Sequence, residues 1–380
     1  MKILYLIPHL YNAGGMERVL CQKANWLATH TDWQILIATV EPAPEGCPMS
    51  CFPLEKSIRT EELNIGFDAD FHAPLLKKYI AHQHKMRVYK QVLRELILRE
   101  KVDLCISLGG KELAFLPEMP CRTMAELHFA KDERLLRIQA YHKGAFWTLL
   151  GKMRVRQMER EMKRFERFVV LTEADRRQWA EAGCTNVHVI PNPCSLCGTE
   201  LPDMPREKEV LAVGRLHSQK GFDRLLDAWK RVADELPDWR LTIVGEGPER
   251  PALEERIANS NLRNVTLAGA HAHIECDMRR ASLLALTSRY EGLPLAMIEA
   301  MWCGLPCVSM DCPHGPSELL ANGGGILTPE GDIEAFARAL CLLMKNDVQR
   351  QEEGNKAQIY AQTEFSDTSI MKRWINLIEA

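Results

Sequence analysis

Nowhere in the 380 residues is there a run approaching the roughly 18–20 apolar residues that a bilayer-crossing helix requires, so no transmembrane segment is expected. A disulfide or zinc framework is also lacking. The 13 cysteines are scattered, and the one close pair, Cys194 and Cys197, has no second pair at metal-binding spacing. Free thiols of a cytoplasmic protein are expected, with no metal and no cofactor. The opening "MKILYLIPHLYNAGG" has one lysine and a short apolar run but no small-residue cleavage site after it, which favours a first β-strand over a signal peptide. No G-x-G-x-x-G follows that strand, and no acidic residue stands at a strand end about twenty positions on, which disfavours a dinucleotide dehydrogenase. No Asp-x-Asp closes a predicted strand, so no metal clamp is indicated. Short repeats and low-complexity tracts are absent, and a net charge of -3 gives no overall basic excess for nucleic acid.

The length suits two domains of roughly 150–200 residues each. Charge is shared unevenly between them: residues 1–190 carry 28 Lys and Arg against 23 Asp and Glu, and the remainder carries 20 against 28. The basic excess gathers in residues 131–167, with 11 basic and 5 acidic side chains. Leu135, Leu136, Ile138, Phe146, Trp147, Leu149 and Leu150 are interleaved with these charges. Such a segment suits either an anionic membrane surface or an ordinary solvated helical face.

Strand and helix alternate along the chain. Apolar runs at 2–10, 33–40, 102–108, 121–128, 167–172 and 187–192 read as strands, with helices at 16–30 and 86–101 and another after 172. The proline-rich stretch 191–208 reads as a linker. A second series follows, with strands at 209–216, 239–247, 264–269, 282–288 and 306–310 and helices at 221–235, 249–259 and 295–302. This grammar predicts two α/β, Rossmann-like domains, 1–190 and 191–363, facing each other across a cleft, with ligands at the carboxyl ends of the strands.

Candidate site residues fall at those ends. In "SRYEGLPLAMIEAMWCGLPCV" (288–308), Glu291 lies on a turn after a strand, and Pro294 opens a helix that Gly304 ends. Glu299 lies inside that helix, so the two carboxylates do not face one bond as a glycosidase pair would. The free N–H groups around the turn Gly292, Leu293, Pro294 and Leu295, to which the proline contributes none, favour an anion such as phosphate, and Glu291 suits hydroxyl donors of a sugar. The spacing of the two glutamates is weak by itself, since any turn and helix can carry it. In "VGRLHSQKG" (213–221), Arg215 and Lys220 follow a strand and could hold a diphosphate, or be solvated surface cations. Gly14 and Gly15 lie between the first strand and first helix, where glycine permits close backbone approach to an anion or simply makes a turn. His128 ends a predicted strand, and a lone histidine there also has an ordinary structural use.

Taken in order, the Gly-Gly turn, the strand-end His128, "VGRLHSQKG", "VGEGP" and "SRYEGLPLAMIEAMWCGLPCV" resemble the GT-B fold retaining glycosyltransferases of family 4 over nearly the whole chain. The resemblance implies that Arg215 and Lys220 hold a donor diphosphate with help from Gly14 and Gly15. It implies that Glu291 and His128 approach the donor sugar and that Glu299 takes the ribose hydroxyls. Gly245, Gly247 and Gly269 would border the nucleotide base. The C-terminal helix, 364–380, would pack back on the N-terminal, acceptor-side domain. The implied reaction moves a hexose or N-acetylhexosamine from a nucleotide sugar, UDP-linked or GDP-mannose, to a lipid-linked or saccharide acceptor in surface polysaccharide or lipopolysaccharide assembly. It would run without metal, at the inner face of the cytoplasmic membrane. A GT-B sugar-nucleotide epimerase, a phosphorylase, or a non-catalytic sugar-nucleotide sensor would use many of the same residues.

Overall fold

The structure, a computed structural model, describes residues 1–67, 75–133, 135, 136, 138, 144–201 and 203–380. The chain divides into two compact units, Met1–Ile190 with Arg373–Ala380, and Pro191–Lys372.

The first unit is built on strands β1 (Lys2–Ile7), β2 (Gln34–Thr39), β3 (Arg59–Glu62), β4 (Leu104–Ser107), β5 (Arg122–Glu126), β6 (Arg167–Val170) and β7 (Val187–Val189). Their order in the sheet is β3-β2-β1-β4-β5-β6-β7, and every ladder is parallel. Helices α1 (Gly15–His30), α2 (Leu75–Glu100), α3 (Ala145–Met162) and α4 (Glu173–Glu181) supply crossovers. Ile3 to Ile7 are all buried, as expected of a central parallel strand covered on both faces. The sequence hides β3, "RTEE", because it pairs only with β2 and lies at the sheet edge, where polar residues are tolerated.

The second unit has strands β8 (Glu209–Val213), β9 (Arg240–Val244), β10 (Val265–Gly269), β11 (Leu283–Leu286), β12 (Cys307–Met310) and β13 (Gly325–Thr328), ordered β10-β9-β8-β11-β12-β13, again in parallel. Its helices are α5 (Phe222–Ala233), α6 (Arg250–Asn259), α7 (Ile274–Arg280), α8 (Leu295–Trp302), α9 (Pro316–Leu319), α10 (Ile333–Lys345) and α11 (Asp347–Glu364). Helix α5 shows why they dock: Phe222, Leu225, Leu226, Trp229 and Val232 recur on one face and are buried.

One sequence reading needs correction, and the bounds of another are refined. The stretch 191–208 is not a free linker at its start: Asn192 and Cys194 are buried, and the Cys194 N–H donates to the Phe365 carbonyl at 2.8 Å. Its lack of periodicity reflects irregular backbone packed into a core. The last helix, α12, begins at Asp367 rather than 364, and of it only the residues from Arg373 on belong to the first unit. There Trp374 and Ile378 are buried, and Arg122 donates to the Ile378 carbonyl at 3.0 Å. Arg167 caps the Leu377 carbonyl in the same way, so the helix end is satisfied by two guanidinium groups.

Of the basic segment 131–167, positions 134, 137 and 139–143 lie outside the described residues. Helix α3 buries Gly151, Val155, Met158 and Met162 and exposes Phe146, Leu149 and Met153 beside Lys152, Arg154 and Arg156. Among the described residues, no helix is long and apolar enough to cross a membrane.

Both sheets reverse strand order once, between β1 and β4 and between β8 and β11. In open α/β sheets the crevice beyond the carboxyl ends of such strands is where ligands bind.

Candidate functional site

The second unit brings Lys220 and Glu291 together at its switch point. Lys220 lies on the loop after β8 and Glu291 on the loop after β11, the two strands flanking the reversal. Lys220 Nζ is 2.7 Å from Glu291 Oε1, and Ser288 Oγ donates to the same oxygen at 2.6 Å. Both bonds fall on Oε1, so among the described residues Oε2 is the oxygen open to a further donor.

Hydrogen bonds stitch the two loops in place. The Arg289 N–H donates to the Gln219 carbonyl at 2.7 Å, and the Gln219 amide donates to the Tyr290 carbonyl at 3.0 Å. Arg289 reaches back to the Ser218 carbonyl at 2.6 Å and forks onto both carboxylate oxygens of Asp223 at 3.0 and 2.7 Å. Burial works to raise the Asp223 carboxyl, but Arg289 outweighs it and holds the group below its ordinary value. Gly221 makes the tight join possible. Its φ is +64°, and a Cβ there would stand 2.1 Å from the Thr287 carbonyl oxygen.

Beyond Glu291 the chain runs straight into helix α8. Pro294 is its cap rather than its first residue, a shift of one position from the sequence reading. No intramolecular acceptor is found, among the described residues, for the N–H groups of Gly292, Leu293, Leu295 and Ala296, so they form a polar rim suited to an anion. The loop 311–316 closes over this turn: the Glu291 N–H donates to the Pro313 carbonyl at 3.2 Å, and a Cβ on Gly315 would lie 2.5 Å from Pro294 Cδ. His314 in that loop is buried with φ +66°, an uncommon geometry for a residue other than glycine. Glu299, one turn into α8, is buried and accepts from Ser195 Oγ.

The remaining residues of the second unit divide. Arg215 is exposed and, among the described residues, makes no ion pair. Gly245 and Gly247 have a backbone reason to be glycine, since their Cβ atoms would meet the carbonyl oxygens of Gly214 at 1.9 Å and Leu216 at 2.4 Å. Gly245 also donates to the Gly269 carbonyl at 2.8 Å. These three glycines thus hold the loops after β8, β9 and β10 against one another at the carboxyl edge of the sheet.

In the first unit, Gly14 caps α1 and Gly15 is its first residue. The Glu17 carboxylate folds back over this turn, so close that a Cβ on Gly14 would lie 2.2 Å from its Oε2, and His9 Nδ1 is 3.1 Å from Oε1. The helix N-terminus is therefore already faced by a carboxylate, and a bound phosphate would share it with Glu17. His128 stands two residues beyond the end of β5 and is joined to groups the sequence reading missed. Its Nε2 lies 3.0 Å from Glu126 Oε1, although off the line of a well-directed hydrogen bond. Glu126 is also bonded to Lys23 Nζ, at 2.6 Å to Oε1. Burial pushes the Glu126 carboxyl up, yet Lys23 and then His128 outweigh it and bring it to about 2. Burial pulls the Lys23 ammonium below its ordinary value, with Glu126 working against it. No cluster of metal-ligating side chains occurs among the described residues.

Residues 207–346 match the family described as glycosyl transferases group 1. An uncharacterized glycosyltransferase of Haemophilus influenzae is 27% identical over 99% of each chain. A Campylobacter jejuni α-1,4-N-acetyl-D-galactosaminyltransferase, named for a diphospho-undecaprenol-linked saccharide, is 26% identical over 100% of this chain and 98% of its own. Among solved structures, that of S. aureus TarM with fondaparinux, α-GlcNAc-glycerol and UDP superposes over all of both chains with a TM-score of 0.76 at 17% identity. Two parallel-sheet Rossmann-like units, a matched transferase domain over the second of them and transferase relatives along the full chain lead to one conclusion: this protein is a glycosyltransferase of the GT-B fold.

Proposed function

We propose that the protein is a retaining, metal-independent hexosyltransferase of the family 4 type. It takes a hexose or N-acetylhexosamine from a UDP-sugar and passes it to a lipid-linked saccharide in the assembly of a surface glycan. The observation that carries this reading is the Lys220–Glu291 pair beside the N–H groups of Gly292, Leu293, Leu295 and Ala296, unpaired among the described residues, at the switch point of the second sheet. In this reading Lys220 and Arg215 meet the diphosphate, Glu291 Oε2 accepts from sugar hydroxyls, and Glu299 exchanges Ser195 for the ribose hydroxyls. Gly245, Gly247 and Gly269 border the base, while Gly14, Gly15 and His128 act from the first unit.

The chemistry follows from where charge develops. Breaking the sugar–phosphate bond leaves negative charge on the departing diphosphate. Fixed cations and N–H groups aimed at it stabilise the transition state, each contributing on the order of 2.7–4 kcal/mol. The leaving phosphate oxygen takes the acceptor's proton on the same face of the ring, so the anomeric configuration is kept and no protein nucleophile is needed. UDP in the TarM complex and the undecaprenol-linked substrate named for the Campylobacter relative support the donor and acceptor classes. The exposed Phe146, Leu149 and Met153 among the cations of α3 support work at an anionic membrane surface.

A thermal-shift screen against UDP-, GDP- and ADP-sugars tests the donor assignment. UDP-sugars are expected to stabilise the protein most, and Glu291→Gln to abolish the difference between a UDP-sugar and UDP alone. Equal stabilisation by all three nucleotide classes, or an unaltered preference in Glu291→Gln, would overturn it.

A further inference from the structure

The first unit contains a charged cluster that its fold does not require. Lys23 from α1 and Glu126 from β5 are each only 1% exposed, and their contact is a directed ion pair inside the core. The Lys23 ammonium also lies 3.9 Å from the centroid of the Trp374 ring, contributed by α12, and 5.7 Å from that of Tyr5 of β1, whose hydroxyl has no partner among the described residues. Replacing a buried ion pair with apolar side chains of similar size is often neutral or stabilising, so stability alone does not explain its presence. What distinguishes the site is its neighbour. Glu126 ends β5 and His128 follows two residues later, with His128 Nε2 3.0 Å from Glu126 Oε1, in contact although off the line of a well-directed hydrogen bond.

We infer that Glu126, charge-compensated by Lys23 and covered by Trp374, is a positioning residue for His128, holding the imidazole by Nε2 and leaving Nδ1 as the atom offered to a ligand. This rests on the reading of His128 as a donor-side residue. The roles of the two groups are set electrostatically, since two bare lone pairs would repel at 3.0 Å. An ionised carboxylate can only accept, so the ring nitrogen facing it must carry a proton, and in a neutral imidazole the other nitrogen is then an acceptor. Lys23 keeps Glu126 ionised in a place where burial alone would protonate it. Trp374 lays its ring face against the Lys23 ammonium, an arrangement a cation favours. Sequence order conceals all of this, because residues 23, 126 and 374 come together only in the folded unit.

The test uses charge-balanced variants, since removing one partner alone would leave a buried charge and threaten folding. In Lys23→Met/Glu126→Leu the acceptor for His128 is gone, whereas Lys23→Met/Glu126→Gln restores an uncharged acceptor oxygen. Two readouts are taken on each full-length protein: the tautomer of His128 by 15N NMR of histidine-labelled protein, assigned through His128→Asn, and UDP release from UDP-glucose and UDP-N-acetylglucosamine. Wild type is expected to hold the Nε2-protonated tautomer. The Leu variant is expected to fold, to show mixed tautomers and to lose kcat roughly 10- to 100-fold, by analogy with the loss when a carboxylate behind a metal-ligating histidine is removed. Its KM for the donor should stay within about twofold, and the Gln variant should recover most of both readouts. If His128→Asn keeps wild-type UDP release, the role of His128 itself fails. If His128→Asn loses release while the Leu variant keeps both kcat and the single tautomer, the positioning role alone is overturned.

Discussion

Replacing Lys220 with methionine separates a donor clamp from an ordinary ion pair, because the two predict different responses to ligand. The Lys220 and Glu291 side chains are 20% and 7% exposed and 2.7 Å apart. At an effective dielectric of about 20 their attraction is roughly 6 kcal/mol before desolvation. The net contribution of such a charge-assisted hydrogen bond is about 1.5–3 kcal/mol. Lys220→Met should therefore lower the stability of the second unit by roughly 1–3 kcal/mol, with Ser288 still serving Glu291, and lower its Tm by about 2–10 °C. That much holds under either reading. A UDP-sugar at 100 times its Kd should stabilise the wild type by about 2.7 kcal/mol. Losing one charge-assisted bond to the diphosphate would weaken binding roughly 10- to 150-fold. At the same ligand concentration only about 0.3–1.4 kcal/mol of stabilisation would then remain. The assay is differential scanning fluorimetry of both proteins with and without the UDP-sugar. A variant with a lower Tm but an undiminished ligand-induced shift would refute the clamp and leave the pair as a loop fastener.

Other outcomes follow from the same geometry. Gly221→Ala should cost about 2 kcal/mol or more, because αL geometry is strained for alanine and its Cβ would press on the Thr287 carbonyl; urea unfolding of the second unit measures it. Trp374→Ala should destabilise the first unit by about 3–5 kcal/mol, through the cavity and the lost contact with Lys23, which the urea midpoint of that unit reports. The Glu126 carboxyl is depressed in the folded state, so its stabilisation is complete above its unfolded pKa of about 4.3 and is lost as pH falls toward about 2. Urea midpoints measured between pH 5 and 2.5 should fall more steeply for wild type than for Lys23→Met/Glu126→Leu, by a stability difference on the order of 2 kcal/mol. Phe146→Glu/Leu149→Glu should abolish sedimentation with phosphatidylglycerol vesicles, and equal sedimentation of variant and wild type would remove α3 as a membrane contact.

How much of this was legible in the sequence depends on what kind of signal each element leaves. Central strands such as β1 and β8 announce themselves because burial on both faces demands continuous apolar runs. Helix α5 does so through its spacing of Leu225, Leu226, Trp229 and Val232. The edge strand β3 left no such mark, since "RTEE" carries no apolar pattern and is held only by its ladder to β2. The start of the stretch 191–208 misled for the opposite reason: prolines and absent periodicity describe backbone shape, not exposure, and Cys194 is fully buried there.

The site shows the same division at finer grain. Lys220 and Glu291 could be placed because each follows a strand in a motif with a turn and a helix start, and local chain geometry fixes where those ends lie. Ser288, three residues from Glu291, was within reach of the same reasoning, since a hydroxyl beside a carboxylate at a tight turn is a natural donor. Ser195 and Lys23 were not, because their partners Glu299 and Glu126 lie 104 and 103 residues away and no local pattern links them. A lysine in the middle of "CQKANWL" on an otherwise buried helical face was the single hint, for a charge facing a core must find a counter-charge. Glu126, the carboxylate at the end of a buried strand and two residues from the strand-end histidine, was the partner to look for. The general consequence is that an ionisable residue out of place on an apolar face indicates long-range pairing, and in this protein that pairing leads to His128.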